Sequence, residues 1–254
     1  MKLGTDIAAI VTGAASGLGL AVAEALAAEG VRVGLLDMNA EAGEAEAARM
    51  GGAFAQCDVA DPASVAAALK SLRAAHGQER ICVNCAGIAP AHRSVSKNGA
   101  HDPALFAKVC GINLIGTFNV ATQSAAGMAA ADPLAEGERG VIVNTASIAA
   151  WDGQVGQLAY AASKAGVAGM TLPMARDLAR SGIRVMAIAP GIFGTAMVKA
   201  FPQDIQDALA QHAQFPPRLG RPEEFAALVR HIVENPMLNG EVIRLDAGTR
   251  MPAK

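Results

Sequence analysis

The sequence predicts an α/β fold, one doubly wound parallel sheet with helices on both faces. Three observations predict it. Short apolar runs of β type alternate with segments whose apolar residues recur at helical spacing, the pattern of a parallel sheet covered on both sides. A glycine-rich turn joins the first such run to the first helical segment. With 254 residues, 52% hydrophobic and 17% charged, the chain can bury one substantial core and does not have the composition of a disordered one.

Taken in order, residues 7–11 read as strand 1 and 18–28 as a helix closed by Gly30. Residues 32–36 read as strand 2, 40–50 as an Ala/Glu-rich helix, and 53–56 as strand 3. Asp61-Pro62 opens a helix to about residue 75, and 81–84 is strand 4. The stretch 91–103, with His92, Ser94, Ser96, Asn98 and Gly99, is a polar insertion. A long helix is expected over 104–130, strand 5 over 141–145, and a helix over 157–181 interrupted by Pro173. Strand 6 (184–189), an apolar lid-like segment (193–215), a helix (222–234) and a last strand (242–245) complete the pattern.

Composition narrows the function. Net charge is −2, so no basic field exists to hold nucleic acid. No apolar run is expected to reach the roughly 18 residues that cross a bilayer. Met1 to Asp6 carries one basic residue and runs into strand 1, which predicts no signal peptide and a cytoplasmic protein. Cys82 and Cys85 form a C-x-x-C, but in a strand positions three apart face opposite sides. The five histidines lack ligand spacing, so no metal is expected.

After strand 1 comes Thr12-Gly13-Ala14-Ala15-Ser16-Gly17-Leu18-Gly19, which opens a helix. Glycines allow a tight turn and close approach of a pyrophosphate, and the helix N-terminus offers it N–H groups and a favourable dipole. Asp37 ends strand 2, 18 residues beyond Gly19, where an acid can bind the adenosine ribose hydroxyls and repel a 2′-phosphate. NAD is therefore expected over NADP. Asp58, after strand 3, can accept from the adenine amine.

Tyr160 and Lys164 form Y-x-x-x-K, and positions four apart share a helix face. A free phenol, with a pKa of about 10, is a poor base at neutral pH. An ammonium about 4 Å away, at an effective dielectric of about 20, favours the phenolate by roughly 4 kcal/mol, or about three pKa units. Ser147 lies 13 residues earlier, just past strand 5, where its hydroxyl can hold a reacting oxygen. Asn113 falls inside the long helix, where spacing alone leaves a packing role and a functional one equally open.

Together these residues resemble the short-chain dehydrogenase/reductase family, whose domain is Rossmann-like. Thr12 to Gly19 matches its cofactor turn. Asn84-Cys85-Ala86-Gly87 is similar to its N-N-A-G segment, Asn113, Ser147, Tyr160 and Lys164 to its catalytic tetrad, and Pro190-Gly191 to its strand 6 turn. The resemblance implies one NAD-binding domain over 1–254 with a substrate lid around 194–215, and a water held by Asn113 against Lys164. A narrower similarity, in Gly153 to Gln157, Phe193-Gly194-Thr195 and Asn239 to Asp246, is to the type II 3-hydroxyacyl-CoA dehydrogenase branch. It implies Ser16, Leu18, Asp37, Asp58, Val59, Cys85, Tyr160, Lys164 and Phe193 at the cofactor. The shared motifs add Gly13, Gly17, Gly19, Ala86, Gly87, Pro190, Gly191 and Thr195 there, and place Ser147, Trp151, Gln157 and Tyr160 at the substrate. Trp151, where the branch has phenylalanine, is expected to reshape the acyl pocket.

The activity so implied is NAD-dependent interconversion of 3-hydroxyacyl-CoA and 3-ketoacyl-CoA by hydride transfer, in fatty acid metabolism. The branch further implies a homotetramer with the helices around 104–130 and 157–181 at one interface. Oxidation of another secondary alcohol, a steroid or a small branched hydroxy compound, uses the same machinery. A non-catalytic scaffold subunit is the alternative of another class.

Overall fold

The computed structural model describes every residue except 98, 196, 197, 199–201 and 254. The strands are β1 (Ala8–Thr12), β2 (Arg32–Asp37), β3 (Ala53–Gln56), β4 (Ile81–Asn84), β5 (Val95–Ser96), β6 (Gly99–Ala100), β7 (Gly140–Thr145), β8 (Ile183–Pro190) and β9 (Val242–Leu245). The helices are α1 (Gly17–Ala28), α2 (Ala40–Met50), α3 (Pro62–His76), α4 (Pro103–Cys110), α5 (Thr117–Ala130), α6 (Leu158–Leu178), α7 (Gln203–Ala210) and α8 (Pro222–Glu234). Among the described residues, seven parallel strands form one sheet in the order β3-β2-β1-β4-β7-β8-β9. β5 and β6 pair apart from it, as a small antiparallel ladder inside the polar insertion.

Strand alternation divides the core in two. Val11, Leu35, Val83, Val143 and Ile188 face α1 and α8, where Val22, Leu26, Phe225 and Ile232 meet them. Ile10, Leu36, Cys82, Ile142 and Val185 face α3, α5 and α6. Each fully buried aliphatic side chain stabilises the fold by about 1.5–3 kcal/mol. Cys82 lies in the second layer while Cys85 packs against the first, as strand geometry requires of the C-x-x-C. The strand order reverses between β1 and β4, which opens a crevice at their carboxyl ends.

Three expectations change. The helix predicted over 104–130 is divided by a π-helical turn at Gly111–Gly116, which carries Asn113. α6 runs through Pro173 unbroken, because that ring lies on the exposed side while buried Thr171 and Ala175 hold the helix to the core. Finally, Pro103–Ala130 has the length and mean hydropathy, 1.5, of a membrane-crossing helix. Its buried Val109, Val120 and Met128 face the interior, while Ile115 and Phe118 are about half exposed. Asn98 of the insertion and positions 196, 197 and 199–201 of the expected lid lie outside the described residues.

Candidate active site

The glycine turn is fixed by contacts too close for any side chain. Gly13 has φ +64°, and a methyl group on it would come within 2.9 Å of the Ala86 amide nitrogen. On Gly19 it would meet the Gly13 carbonyl, so α1 starts directly against the turn. Thr12 Oγ1 accepts from the amides of Cys85, at 3.0 Å, and Ala86, at 3.1 Å, which ties the end of β4 to the turn. Ser16 caps α1 without using its hydroxyl, leaving that group and the first-turn amides for an anion. Asp37, partly exposed at the end of β2, accepts from Ala15 N and Asn39 N, both at 3.0 Å. A carboxylate so placed fits ribose hydroxyls and disfavours a phosphate, and the bare turn fits a pyrophosphate. The residues present therefore fit NAD.

Asp58 is exposed and caps its own turn through Ala60 N, at 2.9 Å, while Val59 is buried against Gly116. Leu18 packs on the core from the first turn of α1. A methyl on Gly17, which has φ +59°, would lie 3.5 Å from the Thr195 methyl, so the segment after β8 reaches the turn. Gly191 N donates to Leu245 O at 2.9 Å just past Pro190, and Phe193 is buried against Phe225 with ring centroids 6.3 Å apart.

The four proton-handling candidates converge beyond β4 and β7. Lys164 Nζ lies 5.8 Å from the centre of the Tyr160 ring and donates to Thr145 O at 2.6 Å. The Ser147 hydroxyl interacts with the Tyr160 phenol and accepts from Ala149 N at 3.1 Å. Asn113 Oδ1 accepts from Ile88 N at 2.8 Å, while its Nδ2 donates to Ile88 O at 2.9 Å and Ser163 Oγ at 3.1 Å. A methyl on Gly87 would sit 3.1 Å from Asn113 Oδ1 and 3.7 Å from Lys164 Nζ, so Gly87 lies between these two side chains.

Electrostatics correct the expectation for Tyr160. Its phenol is raised above the usual value by removal from water, with Ser147 pulling weakly the other way. Lys164 is lowered to about 8 by burial, offset in part by Cys85. Removal of both groups from water outweighs the attraction expected of the pair.

The expected substrate contacts are placed unevenly. Ser147 and Tyr160 meet, whereas Gln157 turns its Oε1 onto Gln154 N at 3.0 Å. Trp151, 55% exposed, lies beneath the Arg244 guanidinium at 5.7 Å. Thr12 entered the sequence reading only as the first residue of the cofactor turn, and Thr145 and Ser163 were given no role. The one signal of those two small polar residues was position, near Ser147 and Lys164.

Residues 7–206 match the family described as short chain dehydrogenase. The chain is 51% identical over 249 residues to 3-hydroxyacyl-CoA dehydrogenase type-2 of Bos taurus, covering 96% of this chain and 95% of that one. It is 50% identical over 246 residues to the Drosophila melanogaster protein of the same name, covering 95% and 96%. A crystal structure of 3-hydroxyacyl-CoA dehydrogenase type-2 from Mycobacterium avium superposes with a TM-score of 0.96 at 41% identity, covering all of both chains. With its glycine turn, its Y-x-x-x-K helix and this likeness from end to end, the chain belongs to the short-chain dehydrogenases, NAD-dependent oxidoreductases.

Proposed function

We propose that the protein interconverts 3-hydroxyacyl-CoA and 3-ketoacyl-CoA, with Ser147, Tyr160 and Lys164 handling the proton. The observation that carries this reading is the meeting of Tyr160 with Ser147 on one side and Lys164 on the other. The substrate class is supported by relatives of that name at half identity over nearly the full length.

Ser147 Oγ and the Tyr160 hydroxyl hold the C3 oxygen of the substrate. Tyr160, as phenolate, takes the hydroxyl proton; in reverse, the phenol returns it. The Lys164 ammonium favours the phenolate and is itself held by Thr145 O. Asn113 donates to Ser163 Oγ, next to Lys164 in the chain, and we assign it the support of a water against Lys164, as the family resemblance implies. Gly13 to Gly19, Asp37, Asp58, Val59, Cys85 to Gly87 and the 190–195 segment would hold NAD, which would supply the hydride acceptor for C3. The protein supplies position and field.

We also propose a homotetramer. Ile115 and Phe118 on one long helix and Leu158 and Leu172 on the other are about half exposed, an apolar surface of the kind buried between subunits. Sedimentation of the purified protein tests this. The free thiols suit a reducing compartment, and we place the protein in the cytoplasm, to be checked by fractionation.

The test is NADH oxidation with acetoacetyl-CoA, beside free acetoacetate and a ketosteroid. Fast turnover of the thioester alone is expected. An inert thioester with a reactive ketosteroid or free acid would overturn the substrate assignment and leave the family intact.

A further inference from the structure

Ser147 and Tyr160 have to hold one oxygen between them. The chain that joins them contains a single 3-10 turn, Ile148–Ala150, before α6 begins at Leu158. A stretch with so little regular structure keeps one shape only where other parts of the molecule tie it.

The stretch is first bound to the two catalytic groups. Ala149 N donates to Ser147 Oγ at 3.1 Å, and Trp151 N and Asp152 N both donate to Ile148 O, at 3.0 and 2.9 Å. A methyl on Gly153 would lie 3.1 Å from the Ala161 methyl and 3.3 Å from Ala149 O. The stretch therefore passes between the Ser147 turn and the helix residue next to Tyr160, and a shift in it moves one against the other.

It is then bound to the far edge of the sheet. Arg244 stands in β9, the edge strand, paired with Ala189 of β8. Its Nη2 donates to Asp152 Oδ2 at 2.6 Å and to Thr249 O at 3.0 Å, and its Nε donates to Asp246 Oδ2 at 2.8 Å. The guanidinium also covers the Trp151 ring at 5.7 Å. A planar fork of donors can serve two carboxylates and a ring face at once, which an ammonium cannot. The Asp152 and Asp246 side chains are only 18% and 8% exposed, so water competes little for them. Past this hub, Gln154 Nε2 donates to Pro252 O and Val155 N to Ala253 O, both at 3.1 Å. From the polar insertion, His92 N donates to Gly156 O at 2.8 Å.

We propose that Arg244 is a positioning residue, which by holding Asp152 fixes the stretch between Ser147 and Tyr160 and so the spacing at which their two hydroxyls share the reacting oxygen. The proposal rests on the Ser147 and Tyr160 reading above and holds for any ketone they receive. A small misplacement of catalytic groups costs rate more than binding, so the effect falls on kcat.

The test measures kcat, NADH affinity and thermal unfolding for Asp152→Ala, Arg244→Ala, their double variant and Arg244→Lys. The substrate is acetoacetyl-CoA, or free acetoacetate if the unmodified enzyme reduces only that. Each single alanine variant is expected to lower kcat by about tenfold or more, and the double variant to be no worse than the lower of the two. NADH affinity in Asp152→Ala should stay within about twofold. Arg244→Lys, which keeps the charge and loses the fork, should recover part of kcat. Ser147 holds the Tyr160 phenol down, so the rise of alcohol oxidation with pH should move to higher pH in Asp152→Ala, where Lys164, the charged group at Tyr160, is untouched. Unchanged kcat, additive losses, or a fall in NADH affinity equal to that in kcat would overturn the proposal. If both single variants unfold, Gln154→Ala decides: it breaks one tie to the 252–253 segment, and a kcat equal to that of the unmodified enzyme would overturn it. A Ser147→Ala enzyme as active as the unmodified one would overturn the reading of the site instead.

Discussion

Along the carboxyl edge of the sheet, the region over β1 and β4 and the region over β8 and β9 are built by different means. Over β1 and β4, backbone meets backbone. Gly13 lies against Ala86, Gly19 against Gly13, and one hydroxyl, that of Thr12, holds two amides. Over β8 and β9, side-chain and backbone contacts join separate segments. Phe193 meets Phe225 edge to face, Gln214 N donates to Ala247 O at 2.9 Å, and Arg218 clasps Glu224. Both regions hold a glycine against backbone, Gly13 against Ala86 and Gly191 against Asp246, and the second also encloses a cavity.

The sharpest break is at the catalytic groups where the two regions meet. Tyr160→Phe removes the proton acceptor and is expected to cut turnover roughly a thousandfold. NADH binding, followed by fluorescence, should persist, and substantial turnover in this variant would sink the mechanism. On the rigid side, Gly19→Ala forces a methyl into the Gly13 carbonyl. A loss of about 1–3 kcal/mol of stability in urea titration, with weakened NADH binding, is expected. A matching substitution on the cavity side, such as Leu209→Ala, should leave NADH affinity unchanged. If both lowered it alike, the contrast between the regions would fail.

Asp37→Ala tests the cofactor's other end. Affinity for NADH is expected to fall about tenfold and discrimination against NADPH to shrink, read by titrating both. A still smaller effect belongs to pH. Burial raises Tyr160, so the phenolate fraction, and with it the rate of alcohol oxidation, should climb with pH through neutrality, while ketone reduction falls. Lys164, at about 8, stops favouring the phenolate once it loses its proton, so the climb should flatten above that pH. Lys164→Arg, which keeps its charge, should remove the break.

The same lysine has a consequence for stability. Its folded value lies below 10.5, so the unfolded chain binds the extra proton between about 8 and 10.5. Stability from this group therefore rises with pH across that window, and thermal unfolding should show a step that Lys164→Met abolishes. The least effect is expected from Arg218→Ala at the lid base. Glu224 is lowered to about 2 by Arg218 and the Arg221 amide. That contribution is present above about 4.5 and fades as pH falls toward 2. Both side chains are substantially exposed, so the loss should be small.

The sequence by itself determined what is local. Alternating runs set the seven strands and their helices, glycine spacing set the cofactor turn, and Tyr160, Lys164 and Ser147 were legible because helix period and strand ends fix their placement. Only the tertiary structure decided the rest. Asn113 sits on a π-helical turn that a helical reading of 104–130 passes over, since the turn is set by packing against Ile88 and Ser163. Trp151, four residues after Ser147, lies against Arg244 some ninety residues on, and the Tyr160 and Lys164 pKa values follow burial that no spacing reports. The cavity joins three stretches around positions 192, 215 and 247, and shape assembled from distant segments leaves no periodic mark in the chain.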